Sequence, residues 1–400
     1  MQSARLSSWL IVLGAASGLW GQAAFNAVTF TNANTGYIVG MGGTILKTTD
    51  GGANWATQAS GTNMGLKSIF ISGTDLGFVA GMGGTLLKTA DAGATWSALT
   101  TGTKNHLSSV CFTPNKTGYA VGDSGTILKS KNGGATWDFL FDFSYDSLTD
   151  VRFINDTTGW LVGSTSTILK NIDGDSIWLT ALLDVQARLY SVLFPTPDTG
   201  YAVGMAKDAY AFGTGFFQSV DGGLTWTQKI TGTAQALHSA YFLNASTGYA
   251  VGNLGTIIKT ADYGETWQIQ NANTNQHLLS VYFHDANHGI AVGDSGTIIT
   301  TSDGGTTWSA RQISGIKDRG LAKAGIRIGG NRNLEYQLGH RTRVQIGLYD
   351  TRGKLVARVL DQVQEAGPHS EILPAPKTGG VYLLDFRAED FRWTGKIAGP

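Results

Sequence analysis

Thr301-Ser302-Asp303-Gly304-Gly305-Thr306-Thr307-Trp308 is one of seven copies of a short segment. Their tryptophans fall at Trp55, Trp96, Trp137, Trp178, Trp226, Trp267 and Trp308. Five of the six intervals are 41 residues and one is 48. A fixed period in this range marks a repeat architecture, in which one unit cannot bury its apolar surface alone. In the third copy four short β-branched and aromatic runs, Ser109–Phe112, Thr117–Gly122, Thr126–Ser130 and Trp137–Leu140, alternate with Pro-, Gly-, Asn- and Asp-containing breaks. That is the signature of four antiparallel strands. Radial packing of such sheets face to face gives a β-propeller. A linear solenoid would need capping units, and no cap is recognisable.

The expected fold is therefore all-β: a seven-bladed β-propeller over residues 24–313, followed by a small Ig-like β-sandwich. Blade four carries a degenerate turn, Asn171-Ile172-Asp173-Gly174-Asp175-Ser176-Ile177-Trp178. Blade five carries seven extra residues between Met205 and Phe216, expected to form a loop on one face. Little chain precedes the first strand, so ring closure should rest on packing of the first blade against the seventh.

Bulk composition agrees with many tight turns: 55 Gly against 7 Pro in 400 residues. The net charge of zero hides an asymmetry, for the repeat region is acidic and the chain beyond Ala310 basic. An acidic propeller is a poor nucleic-acid binder. The single Cys111, in an apolar run, reads as a core residue. Arg5, the apolar stretch from Leu10 and the small-x-small site Gly21-Gln22-Ala23 read as a signal peptide over residues 1–23. No other apolar run approaches the roughly 20 residues of a membrane-spanning helix. The expectation is a bacterial protein that is secreted or held at the cell surface, and monomeric.

The seven segments resemble the Asp-box, Ser/Thr-x-Asp-x-Gly-x-Thr-Trp, of sialidase-type propellers. The physical reading is structural. Asp50, Asp91, Asp173, Asp221, Asp262 and Asp303 can accept hydrogen bonds from their own turns, Gly supplies positive φ, and each Trp buries a large surface between blades. Carboxylates spaced around a ring stay too far apart to converge on a metal. With Gly-Tyr-Ala-Val-Gly (248–252) and Gly-Thr-Ile-Leu-Lys (125–129), the whole unit is similar to the propeller family of the photosystem II stability/assembly factor. That resemblance implies a scaffold that binds a partner, not photosynthesis.

The sialidase resemblance would imply an arginine triad and a Tyr–Glu pair. Between Ala24 and Ala310 the only arginines are Arg152 and Arg188, and the only glutamate is Glu265, inside an Asp-box. That constellation is missing. Asp142 with Asp146, or Asp123, Asp208 and Asp294 on the strand two–three turns, leave a glycoside hydrolase as the alternative. Such an enzyme needs two carboxyls roughly 5–10 Å apart. Asp123 and Asp294 read equally as Asp-Ser-Gly turns.

Binding is expected on the face opposite the Asp-boxes. Ten residues beyond Trp96, Trp178 and Trp267 stand His106, Arg188 and His277. Tyr145, Asp146, Asp208, Tyr210 and His238 complete the candidate set. No metal and no cofactor is expected. The partner is expected to be a protein or glycan, and a cell-surface adhesin is a further reading.

Residues 314–325 read as a linker. Residues 326–400 show strand patterns around a Tyr349-Asp350-Thr351-Arg352-Gly353-Lys354 hairpin turn. With Glu365-Ala366-Gly367-Pro368-His369 and Thr378-Gly379-Gly380-Val381-Tyr382, this segment resembles the C-terminal sorting domain of type IX secretion cargo. The resemblance implies a secretion machinery as second partner. It departs from the usual pattern in having Gly330-Asn331-Arg332 at its opening.

Overall fold

The computed structural model describes residues 24–142, 146–183, 185–207, 212–310, 327–328, 333–338, 342–350, 354–365, 367–374, 381–388 and 391–398. Residues 24–310 lie in one compact unit, and the described residues from 327 onward lie in another.

The first unit holds seven antiparallel sheets in chain order, one per repeat. Blade seven shows the plan. Leu278–Phe283 is the inner strand, followed outward by Gly289–Gly293, Ile298–Thr301 and Ser309–Ala310. Second strands such as Gly36–Gly40, Gly118–Gly122 and Gly289–Gly293 are buried along their whole length. A strand covered on both faces needs no polar alternation, which is why these runs are continuously apolar. Their closing glycines have a steric cause. A Cβ on Gly40, Gly122 or Gly293 would lie 2.2, 1.9 or 1.9 Å from a main-chain carbonyl oxygen.

Each inner strand packs on the next, and the first packs on the seventh, so the ring is closed. It closes by packing, because each of these two blades takes all four strands from its own repeat. The Val28 N–H donates to Ser280 Oγ at 3.2 Å, and Phe30 stacks on Tyr282.

The Asp-box is the fastener of each blade. In blade seven Thr307 N–H and Thr301 Oγ1–H donate to Asp303 Oδ1 at 2.9 and 2.8 Å, and Thr307 Oγ1–H donates to Oδ2 at 2.6 Å. Gly305, at φ 84°, donates its N–H to Thr301 Oγ1. Trp308 is 1% exposed and meets Phe283 edge-on at 5.8 Å. In blade three Asn132 Oδ1 accepts the Thr136 N–H at 2.9 Å in the place of an aspartate. The turn thus requires an acceptor, not a charge.

The same turn also ties neighbouring blades. Tyr37 Oη and Lys47 Nζ of blade one donate to the Ala92 carbonyl of blade two, both at 2.7 Å. Lys88 reaches Gly133, and Tyr119 and Lys129 reach Gly174. Trp160 Nε1 reaches Gly222, Tyr201 and Gln218 reach Tyr263, and Tyr249 and Lys259 reach Gly304. Burial pushes the Tyr249 hydroxyl up to about 12, so it remains a donor at neutral pH. Blade seven has Ile290 and Thr300 at these two positions.

The described residues of the insertion in blade five continue the second and third strands rather than leaving them. They lengthen the hairpin, with Gly200–Lys207 paired along its length to Phe212–Ser219. The connection before this blade adds a short strand, Leu182–Leu183, parallel to Thr225–Gln228.

The second unit contains two sheets. Asn333–Leu338 lies between Arg327–Ile328 and Gly367–Ile372, and Thr342–Tyr349 pairs with both Leu355–Gln364 and Val381–Ala388. Phe391–Ala398 adds the edge. One core joins Leu334 and Tyr336 of the first sheet to Val344, Ile346, Leu384 and Phe386 of the second. This is a small sandwich. The expected turn is a hairpin, with Asp350 N–H donating to the Lys354 carbonyl.

Candidate binding site at the axial mouth

Every inner strand carries a one-residue bulge near its start. Pairing with the second strand skips Asn26, Lys67, Ser108, Thr149, Tyr190, His238 and Leu279. A bulge leaves its residue out of the ladder and re-aims the side chain. All seven residues are half-buried. Lys67 of blade two is within electrostatic reach of Asp123 in the adjacent blade three and of Asp294 in blade seven, which is not its neighbour. Reach to blade seven, past blade one, puts the Lys67 ammonium on the axial side of its strand.

The bulged residues differ in chemistry. Asn26 Nδ2 donates to the Leu66 carbonyl at 2.6 Å and Thr149 Oγ1 to the Leu189 carbonyl at 2.7 Å, so both tie adjacent blades. Lys67, Tyr190 and His238 present larger functional groups. The Tyr190 and His238 rings lie 5.0 Å apart, and His238 Nε2 is 2.7 Å from Asn253 Oδ1. Burial lowers the pKa of His238 and raises that of Tyr190, while Arg188 hydrogen-bonds Tyr190 and opposes the rise. Burial also lowers the Lys67 ammonium, and Asp123 and Asp294 pull the other way. The mouth therefore offers an ammonium, a guanidinium, two carboxylates and an aromatic pair within one ring of loops.

The residues expected from the sequence are distributed unevenly. His106 and His277 lie at this end, but each Nδ1 accepts a turn N–H, from Gly83 at 2.9 Å and from Leu254 at 3.1 Å. They brace strand two–three turns. Arg188 is exposed beside Tyr190, and His238 lies in the ring itself. Asp146 is a buried turn staple. Its carboxylate accepts from Ser164 Oγ, Thr167 Oγ1 and the Thr165 N–H, and although burial opposes it, these bonds hold its pKa low. Tyr145, Asp208 and Tyr210 lie outside the described residues, as does the side chain of Asp142.

Sequence reasoning missed Lys67 and Tyr190. The position watched was ten residues after each Trp, whereas the ring stands twelve residues after it. The Asp-box carboxylates, by contrast, lie on the other face and stay apart. Among the described residues one group of His and Asp side chains is close enough to share a metal ion: His284, Asp285 and His288. It also lies on the Asp-box face, where the Gly304 N–H bonds the Asn287 carbonyl. Among the described residues no helix is long and apolar enough to cross a membrane.

Comparison with known proteins agrees with this architecture. The sequence profile of the photosynthesis system II assembly factor YCF48 family matches residues 17–105 and 261–332. No curated protein matches the chain. Among solved structures, YCF48 bound to a D1 peptide superposes with a TM-score of 0.58 at 18% identity, covering 70% of this chain and 93% of that one. YCF48 from Cyanidioschyzon merolae gives 0.56 at 18%, covering 70% and 95%. The WD40 β-propeller domain of Doa1 gives 0.55 at 13%, covering 73% and 95%. The fold of residues 24–310 is thus a β-propeller similar to that of YCF48.

Proposed function

We propose that the protein is a non-catalytic binding scaffold that takes a polypeptide segment at the axial mouth of its propeller. The observation that carries this reading is that Lys67, Tyr190 and His238 share one bulge position of the ring, with Asp123 and Asp294 on the strand two–three turns beside it. Charges of both signs beside an aromatic pair suit the backbone and side chains of an extended peptide. The D1 peptide held by the similar YCF48 propeller supports the same use.

The test is binding of the full-length protein to a peptide library and a glycan array. Peptide binding that weakens at least tenfold in Lys67→Ala and in His238→Ala, with melting unchanged, is expected. Binding to glycans alone, or peptide binding that both changes leave intact, would overturn the reading.

The protein acts, in this proposal, as an exported monomer. Residues 1–23 serve as leader and residues 326–400 as a sorting module for a type IX machinery. Deleting residues 326–400 should then leave the propeller inside the outer membrane of a competent host. Undiminished release to the medium would contradict that role.

A further inference from the structure

Six of the seven seams between blades are clasped alike: a ring or amine donor of one blade meets a turn carbonyl of the next. The closing seam, from blade seven to blade one, is built differently. Ile290 replaces the aromatic donor and Thr300 the long amine or amide. An isoleucine side chain has no polar hydrogen to donate, and position 300 carries neither the lysine nor the glutamine of the other clasps. Here lies a cavity of about 570 Å³, bordered by Phe30, Asp50, Gly51, His284, His288 and Ile290. Gly51 is the blade-one counterpart of the clasped Ala92 and Gly304.

The strand one–two turn beside this cavity also departs from the repeat. In blades one, four and six an asparagine caps the turn: Asn32, Asn155 and Asn244 each accept two following N–H groups. Asp285 Oδ1 does the same with Asn287 and His288 at 2.7 and 2.8 Å. The backbone bond is also shared, since His284 N–H donates to the His288 carbonyl as Thr31 N–H does to Thr35. The turn therefore needs neither the charge of Asp285 nor either imidazole.

Those three side chains are nevertheless gathered. Asp285 Oδ2 lies 2.9 Å from His288 Nδ1 and 3.8 Å from His284 Nε2. One donor atom from each falls within 4.8 Å of the other two. His284 Nδ1 is buried and has no hydrogen-bond partner among the described residues. Two imidazoles and a carboxylate form a donor set suited to divalent ions of the zinc class, with metal–ligand bonds of about 2.0–2.2 Å.

We propose that His284, Asp285 and His288 bind one divalent transition-metal ion of the zinc class at the closing seam, with its remaining coordination positions facing the cavity. The ion supplies there the positive charge that Lys47, Lys88, Lys129 and Lys259 supply elsewhere, next to Asp50 and Gly51 of the first blade. It would tie the two ends of the propeller chain where the regular clasp is lacking. This site is independent of the axial mouth.

The test uses full-length, tag-free protein stripped with EDTA, dialysed and titrated with zinc chloride by calorimetry. One zinc per chain and a zinc-dependent rise in melting temperature are expected. Asp285→Asn keeps the turn acceptor used in three other blades, and His288→Ala alters an exposed side chain. Each should weaken binding at least tenfold and abolish the zinc-dependent rise, while melting in EDTA stays that of the parent. Replacement by cobalt should give the visible absorption of a low-coordinate ion, lost in both variants. Absence of stoichiometric binding, or unchanged affinity in both variants, would overturn the site.

Discussion

The two faces of the ring use the repeat in opposite ways. On the Asp-box face the same atoms do the same work in blade after blade: Thr48, Thr89, Ser219, Thr260 and Thr301 each hold an aspartate, and each turn is held by the blade before it wherever the clasp is present. On the opposite face the backbone bulge repeats, but the side chain on it is Asn, Lys, Ser, Thr, Tyr, His or Leu. Uniform chemistry on a repeated backbone marks fastening, because every blade has the same mechanical need. Varied chemistry on a repeated backbone leaves an asymmetric surface, which is what recognition of one ligand requires. The closing seam breaks uniformity on the first face, and there the histidines gather.

Substitutions should separate these roles. The largest effect belongs to Trp308→Ala, which removes a ring that is 1% exposed. Loss of such a side chain costs about 3–5 kcal/mol, read as a shift of the denaturant midpoint. Next comes Tyr249→Phe, which deletes the 2.8 Å bond to the Gly304 carbonyl. A single hydrogen bond contributes about 1 kcal/mol, and Phe78 shows that a blade tolerates the loss. Asp303→Asn should change stability least at neutral pH, since Asn132 already serves in blade three.

Acid distinguishes these last residues. Hydrogen bonds from Thr307, and from Thr95 in blade two, hold the Asp303 and Asp91 carboxyls at about 2, below the usual carboxylate value. A depressed native pKa stabilises the folded state above the unfolded pKa, and that contribution disappears as pH falls through the native one. Melting temperature should therefore drop between about pH 4 and pH 2. The drop should be shallower in an Asp91→Asn, Asp303→Asn double variant. On the other face Lys67→Ala should leave midpoint and acid profile unchanged and alter binding only.

The propeller was legible because Trp, Asp and Gly recur at fixed spacing, and each of them is needed by the turn or the core. The mode of ring closure was not fixed by the repeats themselves; it is the packing of the first inner strand on the seventh that shows it. The extended hairpin of blade five was not legible, because Gly213 and Gly215 read as loop residues although both sit in a paired strand. The axial ring was hidden for a different reason. A bulge is a shift in pairing, and the residues placed on it share no chemistry. Its one mark is position, directly after the buried Leu that opens most inner strands, as with Lys67 after Leu66 and His238 after Leu237. His106 and His277 stand ten residues after a Trp, as expected of the binding face, yet each has a ring nitrogen occupied by a turn. The His284-Asp285-His288 group was not legible because Asp285 stands where an asparagine caps the same turn in other blades, so the segment reads as an ordinary turn.

The most direct measurement is peptide binding by the full-length protein and by a Lys67→Ala, His238→Ala double variant, with melting temperature recorded on the same samples. The account predicts equal melting temperatures and a loss of affinity of at least tenfold in the variant. Equal affinity at equal stability would place recognition away from the axial mouth and contradict it.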